Sequence, residues 1–192
     1  MELLKQKIRD SAVLLDGGIV KVDMFLNHQI DTKLLYEIGA EFRRLFPSDK
    51  ITKILTAEAS GIAIAAIAGL HFNVPVVYAK KGNPKNIFKD TYTAEVFSYT
   101  KAVTTQIRVS KEYLSPNDRV LILDDFLANG QALKGLLSIV SQSGAALEGV
   151  GVVIEKGFQE GGKLIRSQGV RVESLAIVDG MDDQTGKILF RN

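Results

Sequence analysis

Five short apolar segments rich in β-branched residues recur along the chain, and helical stretches separate several of them. The apolar segments cover residues 51–56, 74–79, 119–123, 149–154 and 171–178, and the helical stretches cover 61–70, 130–142 and 160–168. Strands that are apolar on both faces and alternate with helices are typical of a parallel sheet covered on its two sides. We therefore predict an α/β fold with a central, mainly parallel sheet. In such sheets, ligands bind beyond the carboxyl ends of the strands.

The first part of the chain has a different pattern. Residues 2–10 have the spacing of a short amphipathic helix, 19–22 are predicted as a strand, and 25–28 are predicted as a loop. Asp31 is a good cap for a helix that runs through Leu45 and stops near a proline.

Composition limits the class of protein. The chain has 192 residues, 46% of them hydrophobic and 24% charged, and a formal net charge of +2. These values predict one globular domain spanning residues 1–192 and argue against a protein that wraps nucleic acid by charge alone. The sequence contains no cysteine, which excludes disulfides and thiolate metal sites. The N-terminus lacks the apolar core of a signal peptide, and no apolar run approaches the roughly 18 residues of a membrane span. We therefore expect a soluble, cytoplasmic protein with no membrane partner.

One polar stretch interrupts the alternation. Residues 80–91 are rich in Lys, Gly, Pro and Asn, and residues 91–100 and 104–110 then have the pattern of two extended strands, possible partners in a hairpin. A long polar connection inside a compact domain is usually either disordered or a functional lid. Composition leaves both alternatives open.

The most informative segment is RVLILDDFLANGQALKGLLSIV, residues 119–140. Its strand is predicted to end in two carboxylates, Asp124 and Asp125, and a loop of small residues then opens a helix. The free N–H groups and the dipole at a helix start favour an anion, whereas carboxylates suit the hydroxyls of a sugar. The segment therefore predicts a ribose 5-phosphate site. Acids after a strand and small residues before a helix also occur without any function, and the spacing alone leaves that alternative open.

The motif VLILDDFLANGQA resembles the signature with which type I phosphoribosyltransferases bind phosphoribosyl pyrophosphate (PRPP). The resemblance implies that Asp124 and Asp125 contact the ribose hydroxyls and that a five-residue loop holds the 5-phosphate. The residues of this loop are Ala128, Asn129, Gly130, Gln131 and Ala132. Asn129, Gln131 and Ala132 replace the usual Thr, Gly and Thr, so backbone donors remain while hydroxyl contacts are lost.

Residues 54–61, ILTAEASG, have the same predicted order of elements: a strand, a loop of small residues and a helix start. A second anion could bind there, although a plain tight turn has the same composition. In the resembled family this is the pyrophosphate loop, formed here by Glu58, Ala59, Ser60 and Gly61. Many members of the family have a basic residue where Ser60 stands, so charge neutralisation must come from elsewhere.

Lys81 begins the polar stretch and could be an ordinary solvated lysine. The sequence AKKGNP resembles the start of the flexible loop in adenine-type members of the family, where a basic residue reaches pyrophosphate in the partner subunit. The resemblance therefore implies a catalytic role for Lys81 and a homodimer.

The first thirty residues, with KVDMFLNHQID at 21–31, resemble the xanthine-using members of the family. The resemblance implies that Val20, Asn27, Lys156 and Phe158 bind the base. An amide such as that of Asn27 can both donate to and accept from a dioxopurine edge, an ammonium can meet an oxo group, and Phe158 can stack on the ring. Asn27 as a turn residue and Lys156 as a solvated strand end are the alternatives.

Over the whole chain, the resemblance implies a type I phosphoribosyltransferase fold with a small hood, formed by about residues 1–30 and the C-terminal segment. It implies transfer of phosphoribose from PRPP to xanthine, with Mg²⁺ held mainly through the substrate and by no direct protein ligand. Closure of residues 81–100 as a lid would exclude water.

Two alternatives remain at this level. Some bacterial purine repressors use the same fold to sense PRPP without catalysis, but they carry an added N-terminal DNA-binding domain, for which this chain has no room before residue 20. The second alternative is transfer to hypoxanthine or guanine, since a few hydrogen bonds decide the choice of base.

Overall fold

The computed structural model describes residues 1–15, 19–82, 90–98, 103–181 and 187–191. Within these ranges the helices are α1 (Glu2–Ser11), α2 (Thr32–Leu45), α3 (Ser60–Phe72), α4 (Gln131–Ser143) and α5 (Gly161–Ser167). The strands are β1 (Val13–Leu15), β2 (Ile19–Lys21), β3 (Lys53–Ala57), β4 (Val76–Lys81), β5 (Thr91–Ser98), β6 (Val103–Ser110), β7 (Arg119–Leu127), β8 (Ala146–Lys156), β9 (Val172–Met181) and β10 (Ile188–Phe190).

Eight of these strands form one sheet in the order β10-β9-β8-β7-β3-β4-β6-β5. Its central strands, β4, β3, β7, β8 and β9, all pair in parallel. The antiparallel strands lie at the two edges, where β10 pairs with β9 and the β5–β6 hairpin pairs with the end of β4. The predicted α/β fold with a mainly parallel sheet is therefore confirmed.

The apolar side chains of β7 divide between two cores. Leu121 and Leu123 are fully buried in a cluster that includes the side chains of α1, α2 and α3. Val120 and Ile122 point the other way, into a cluster with α4, α5 and the hairpin. Because side chains alternate across a strand, a strand buried on both faces is apolar along most of its length. Each fully buried Leu or Ile contributes about 1.5–3 kcal/mol to this arrangement.

The start of α2 is fixed by Asp31. Its carboxylate accepts a 3.1 Å hydrogen bond from the N–H of Leu34 and an ion pair of 2.9 Å from Lys7 on α1. The hydrogen bond from Lys7, followed by the one from Leu34, holds the pKa of Asp31 below its ordinary value. The predicted helix cap is confirmed, and it also ties α1 to α2.

The two ends of the chain contact each other. The N-terminal ammonium of Met1 donates to the carbonyl oxygen of Leu175 in β9 at 2.6 Å, and the Lys5 ammonium donates to the carbonyl of Arg191 at 3.2 Å. The β1–β2 hairpin is joined to α2 by residues 22–31, which include the π-helix Asp23–Asn27. The N-terminal and C-terminal segments implied as a hood therefore lie against the same edge of the sheet.

Several predicted boundaries were wrong. Residues 25–27 of the loop predicted at 25–28 belong to a π-helix, Asp23–Asn27, whose Phe25 and Leu26 are buried in the core. Five residues are too few to show a helical period, so no sequence pattern marked this turn. The strand β7 continues to Leu127, so Asp124 and Asp125 lie within the strand and do not terminate it.

The polar stretch predicted as a lid divides into two parts. Lys81 belongs to β4 and pairs with Ile107 of β6, and residues 91–98 form β5, which pairs with β6 along its whole length. Residues 83–89 and 99–102 lie outside the described part of the chain. Among the described helices, none is both long and apolar enough to cross a membrane.

Candidate active site

Three loops that the sequence singled out lie at one edge of the sheet. Residues 58–61 follow β3, residues 128–132 follow β7, and residues 156–158 include and follow the end of β8. These three strands are neighbours and run in parallel, so their carboxyl ends meet at the same edge. This is the edge at which α/β sheets bind ligands.

Asp124 and Asp125 form a buried pair of acids at this edge. Their exposed fractions are only 5% and 9%, and the backbone N–H of Asp125 donates to Asp124 Oδ1 at 3.0 Å. Burial, and after it the negative charge of Asp125, raises the pKa of Asp124 well above its ordinary value. The positive charge of Lys81 acts in the opposite direction but is smaller. A hydroxyl-rich ligand or a cation would stabilise the ionised form of such a pair.

The loop 128–132 carries the predicted anion site. Gly130 has a φ of 76° and is the residue before the thirteen-residue helix α4, with no side chain capping the helix start. The first N–H groups of α4 are therefore available to a ligand. The backbone of this loop also lies against α5, because the N–H of Gly161 donates to the carbonyl oxygen of Ala128 at 3.1 Å.

The loop 58–61 lies against the acidic pair. A Cβ atom placed on Gly61 would lie 3.3 Å from Asp124 Oδ1 and only 2.0 Å from the hydroxyl oxygen of the fully buried Thr56. The Glu58–Ala59 peptide is cis, and the N–H of Glu58 donates to the carbonyl of Ala79 at 3.1 Å. The structure therefore brings Gly61 of the implied pyrophosphate loop into contact with the implied ribose-binding carboxylate.

Lys81 borders the same region. Its backbone N–H donates to Glu58 Oε1 at 2.5 Å, and its charge acts on Asp124 of the same chain. The side chain of Lys81 is exposed at the end of β4. This places a cation beside a loop that has Ser60 where many relatives of the resembled family have a basic residue.

The implied base-binding residues stand on two segments. Lys156 is half-buried at the end of β8, with its ammonium 5.9 Å from the centre of the Phe126 ring, and Phe158 is 44% exposed. Burial lowers the pKa of Lys156. On the N-terminal segment, Val20 is packed in the core and Asn27 is exposed at the end of the π-helix. Phe126 packs against the same core cluster as Val20, which places both segments on one side of the sheet.

Sequence reasoning missed three residues that shape this edge. A Cβ on Gly161 would lie 2.1 Å from the Ala128 carbonyl oxygen and 2.6 Å from the Gly130 nitrogen. Thr56 contacts Gly61, and Gly157 lies beneath Asp179. In the sequence, the only signal is a glycine or a small polar residue close to the end of a strand.

An acidic pair on a central strand, with two helix-opening loops at one edge of this sheet, defines a type I phosphoribosyltransferase. No family model matches the chain. A xanthine phosphoribosyltransferase from Alkaliphilus metalliredigens is 57% identical to it, over all of this chain and 94% of the relative. One from Clostridium novyi is 56% identical over the whole of both chains. An adenine phosphoribosyltransferase from Trypanosoma brucei, solved with AMP, pyrophosphate and ribose-5-phosphate, has the same fold, with a TM-score of 0.76, 19% identity, and coverage of 94% of this chain and 82% of that one. The chain belongs to the xanthine phosphoribosyltransferase family.

Proposed function

We propose that the chain transfers the phosphoribosyl group of PRPP to xanthine, releasing pyrophosphate and forming xanthosine monophosphate in purine salvage. The bond between C1 of the ribose and pyrophosphate breaks, and a purine nitrogen bonds to C1 from the opposite face. The purine gives up the proton of that nitrogen to water or to pyrophosphate.

One observation carries the proposal: Gly61 lies against Asp124 at the edge where the loop 128–132 opens α4. PRPP has a 5-phosphate, two ribose hydroxyls and a pyrophosphate, in that order along the molecule. The structure offers a helix start, a carboxylate pair and a second helix-opening loop at one edge, which supports the assignment of one group of the donor to each.

The chain's side chains have little covalent chemistry to perform. As pyrophosphate departs, positive charge develops at C1, and the negative charge of Asp124 and Asp125 favours that charge. The N–H groups of the two loops hold the phosphates in place, and holding both substrates in reacting geometry supplies much of the rate enhancement. Lys81 is the proposed partner of the leaving pyrophosphate.

The two buried carboxylates also fit Mg²⁺. Magnesium prefers oxygen ligands and is usually held by one or two carboxylates together with substrate phosphates. Mg²⁺ would be held mainly through PRPP, with Asp124 and Asp125 beside it, and the burial and like charge that raise the pKa of Asp124 support added positive charge there. When bound with PRPP, the ion would neutralise charge on the departing pyrophosphate.

For the base, we propose that Lys156 meets an oxo group of xanthine, that Phe158 stacks on the ring, and that Asn27 and Val20 complete the pocket. The half-buried position of Lys156 beside Phe126 supports this assignment, because a partly desolvated ammonium binds an oxo group more strongly than a solvated one. The 44% exposure of Phe158 leaves a ring face available for stacking.

We propose that the enzyme is a homodimer and that a second copy covers the outer face around β4. A cavity of about 560 Å³ opens there between β4 and β6, lined in part by Pro75, Val76, Tyr78 and Tyr113. Pro75 and Val76 also border a second hollow beside Leu70, whose side chain is 72% exposed. Contiguous exposed apolar surface of this kind marks interaction sites.

Sedimentation equilibrium tests the dimer, and a mixing experiment tests whether Lys81 serves the partner's site. In a symmetric dimer, mixed subunits of Lys81→Ala and Asp124→Asn rebuild one intact site if Lys81 acts across the interface. Statistical mixing should then restore about a quarter of the wild-type activity. No recovery would assign Lys81 to the site of its own chain.

We further propose that the enzyme works in the cytoplasm. Its proposed donor and product carry charged phosphates, which do not cross a lipid bilayer without help, so both must be present on the side where the enzyme works. Cell fractionation with a tagged chain tests this location.

The experiment that tests the function is pyrophosphate release from PRPP and Mg²⁺ with xanthine, hypoxanthine, guanine and adenine as separate acceptors. We expect a strong preference for xanthine. Turnover of another base in place of xanthine would leave the assignment of the PRPP-binding residues intact but overturn the assignment of Asn27, Lys156 and Phe158 to the base. Tight PRPP binding without turnover of any base would indicate a PRPP sensor.

A further inference from the structure

A bidentate ion pair between Arg191 and Asp179 lies against the turn at Gly157, which follows β8. Arg191, just after β10, donates from Nε to Asp179 Oδ2 at 3.1 Å and from Nη2 to Asp179 Oδ1 at 2.5 Å. Asp179 lies in β9, next to the end of β8. Two parallel hydrogen bonds to one carboxylate fix the guanidinium plane as well as its position.

Three hydrogen bonds join Gly157 in the turn, Arg191 and β9. The Gly157 N–H donates to the carbonyl of Val178 at 2.7 Å, and the Gly157 carbonyl accepts from Arg191 Nη2 at 3.2 Å. The backbone N–H of Arg191 donates to the carbonyl of Ile177 at 2.9 Å. The guanidinium therefore ties Asp179 to the turn itself.

The fit requires a glycine at position 157. A Cβ atom there would lie 2.1 Å from Asp179 Oδ1 and 2.8 Å from Arg191 Nη2. Any larger residue would have to displace either the ion pair or the turn. Gly157 stands between Lys156 and Phe158, the two residues proposed to contact the purine from this side.

We propose that Arg191, through Asp179, is a positioning residue that fixes the turn Lys156–Phe158 and thereby sharpens the choice of purine. This inference rests on the proposed function, because it assumes that Lys156 and Phe158 meet the base. Arg191 and Asp179 act on the turn and touch no substrate.

Folding and recognition should respond differently to loss of this pair. Its side chains are 49% and 35% exposed, and an ion pair so exposed contributes little to stability. A small displacement of a binding group, in contrast, can cost up to about 100-fold in rate. Removing Arg191 should therefore change base recognition more than folding.

The test compares Arg191→Ala, Arg191→Lys and Asp179→Asn with a matched control. Arg171 pairs with Glu173 near the start of β9, with similar exposures of 51% and 32%. Arg171→Ala therefore removes a comparable ion pair at the opposite end of the same strand. For each variant, kcat, the KM for xanthine, the KM for PRPP and the kcat/KM ratio of xanthine to guanine are measured, together with the unfolding midpoint in urea.

For Arg191→Ala and Asp179→Asn we expect the KM for xanthine to rise roughly 3- to 10-fold and the ratio of xanthine to guanine to fall. The KM for PRPP and the unfolding midpoint should stay within error of the wild-type values. Arg191→Lys should recover only part of the wild-type KM for xanthine and base ratio, because an ammonium cannot bind a carboxylate in bidentate fashion. Arg171→Ala should resemble the wild type in kcat, in both KM values and in the ratio of xanthine to guanine.

Unchanged xanthine KM and base ratio in the Arg191 variants would overturn the proposal while leaving the proposed function intact. Parallel changes in the PRPP KM and the unfolding midpoint would also overturn it, since a structural role moves all of them together. A wild-type protein that turns over no purine at all would instead refute the proposed function and, with it, this inference.

Discussion

The N–H of Gly161 donates a 3.1 Å hydrogen bond to the carbonyl oxygen of Ala128, so the first turn of α5 lies directly against the loop proposed to hold the 5-phosphate. Position 161 has no room for a side chain. A Cβ atom at Gly161 would lie 2.1 Å from that oxygen and 2.6 Å from the nitrogen of Gly130. Both clashing atoms belong to the backbone of the phosphate loop, and neither can move aside as a flexible side chain would.

The substitution Gly161→Ala should therefore displace the phosphate loop. We expect a rise of roughly 10-fold or more in the KM for PRPP and a loss of about 1–3 kcal/mol in the free energy of unfolding, as for other overpacked sites. Steady-state kinetics and urea unfolding measure the two effects. Lys163→Ala, two residues along α5 at an exposed position, is the control. Unchanged donor kinetics in Gly161→Ala would show that the loop does not depend on this contact.

The sequence revealed the two sides of this contact unequally. Asp124, Asp125 and residues 128–132 form one continuous segment, so their local pattern was enough to predict a strand, an acidic pair and an anion-binding helix start. Gly161 follows about thirty positions later, and only the parallel pairing of β7 with β8 brings it to the loop. Contacts that depend on the packing of separate elements leave no local pattern in a single sequence.

A second close contact should control the pyrophosphate loop. A Cβ at Gly61 would lie 2.0 Å from the Thr56 hydroxyl oxygen, which is fully buried and cannot swing into solvent. We expect Gly61→Ala to weaken PRPP binding by roughly 10-fold or more, because the loop must move away from β3 and from Asp124. Isothermal titration with PRPP and Mg²⁺ provides the measurement.

A double substitution is the control for that explanation. In Thr56→Ala with Gly61→Ala, the clashing hydroxyl is removed, and the remaining distance to the Cβ atom of residue 56 is 3.3 Å. Donor affinity should therefore recover in part relative to Gly61→Ala alone. Equal loss in the single and double variants would contradict a steric cause.

Asp124 should oppose folding while supporting catalysis. Its pKa is raised by burial and by the charge of Asp125, so the folded state binds a proton more tightly than the unfolded state does. The stability of the free enzyme should consequently fall as pH rises from the ordinary value of 3.8 through the raised pKa, and the full penalty remains at higher pH. Asp124→Asn should remove this penalty and be more stable than the wild type above that window.

The same substitution should damage activity, since a charged hydrogen bond to a ribose hydroxyl contributes about 1.5–3 kcal/mol, or roughly 10- to 100-fold in kcat/KM for PRPP. Unfolding in urea at several pH values and steady-state kinetics provide both readouts. Asp90 is exposed, so Asp90→Asn is the control for the loss of a carboxylate that is not buried. A variant that loses activity and is also less stable at neutral pH would contradict the idea that this charge is costly in the free enzyme.

The ion pair of Glu155 and Arg166 should stabilise the sheet beside the site. Glu155 is almost fully buried, and both of its oxygens accept hydrogen bonds from Arg166, at 2.8 and 2.7 Å. Burial alone would raise the pKa of Glu155, but the hydrogen bonds from Arg166 and Ser174 outweigh it and hold the pKa below 4.5. This contribution is present above the ordinary pKa and is lost as pH falls through the lowered one.

Arg166→Leu leaves the Glu155 carboxylate buried without its main partner. We expect the free energy of unfolding to fall by about 1–3 kcal/mol at pH 7, less than for a fully buried pair because Arg166 is partly exposed. The loss should shrink at acid pH, where Glu155 is protonated. Glu155→Gln combined with Arg166→Leu should recover part of the stability, and a double variant less stable than Arg166→Leu would contradict the ion-pair explanation.

The base-binding side was less accessible from the sequence than the donor side. Lys156 and Phe158 were assigned through family resemblance, since a lysine at the end of a strand has no distinctive pattern of its own. The N-terminal segment around Asn27 was predicted as a loop and is a π-helix, because burial of Phe25 and Leu26 in the core fixes its backbone. The ion pair of Asp179 and Arg191 was also not predicted. Asp179 lies in β9 and Arg191 follows β10, a strand that the sequence did not predict.

The pH dependence of base recognition should reveal Lys156. Burial lowers its pKa below the ordinary 10.5, so its ammonium loses the proton, and with it the attraction to an oxo group, at a lower pH than a solvated lysine would. We expect kcat/KM for xanthine to fall on the alkaline side through this lowered pKa. Lys156→Arg should be less active at neutral pH because the guanidinium has a different shape, yet it should lack that alkaline fall, since arginine keeps its charge throughout. Ionisation of xanthine itself affects both proteins equally, so the ratio of the wild-type to the variant profile isolates residue 156. Profiles that fall together, with a constant ratio, would mean that the charge of Lys156 takes no part in recognising the base.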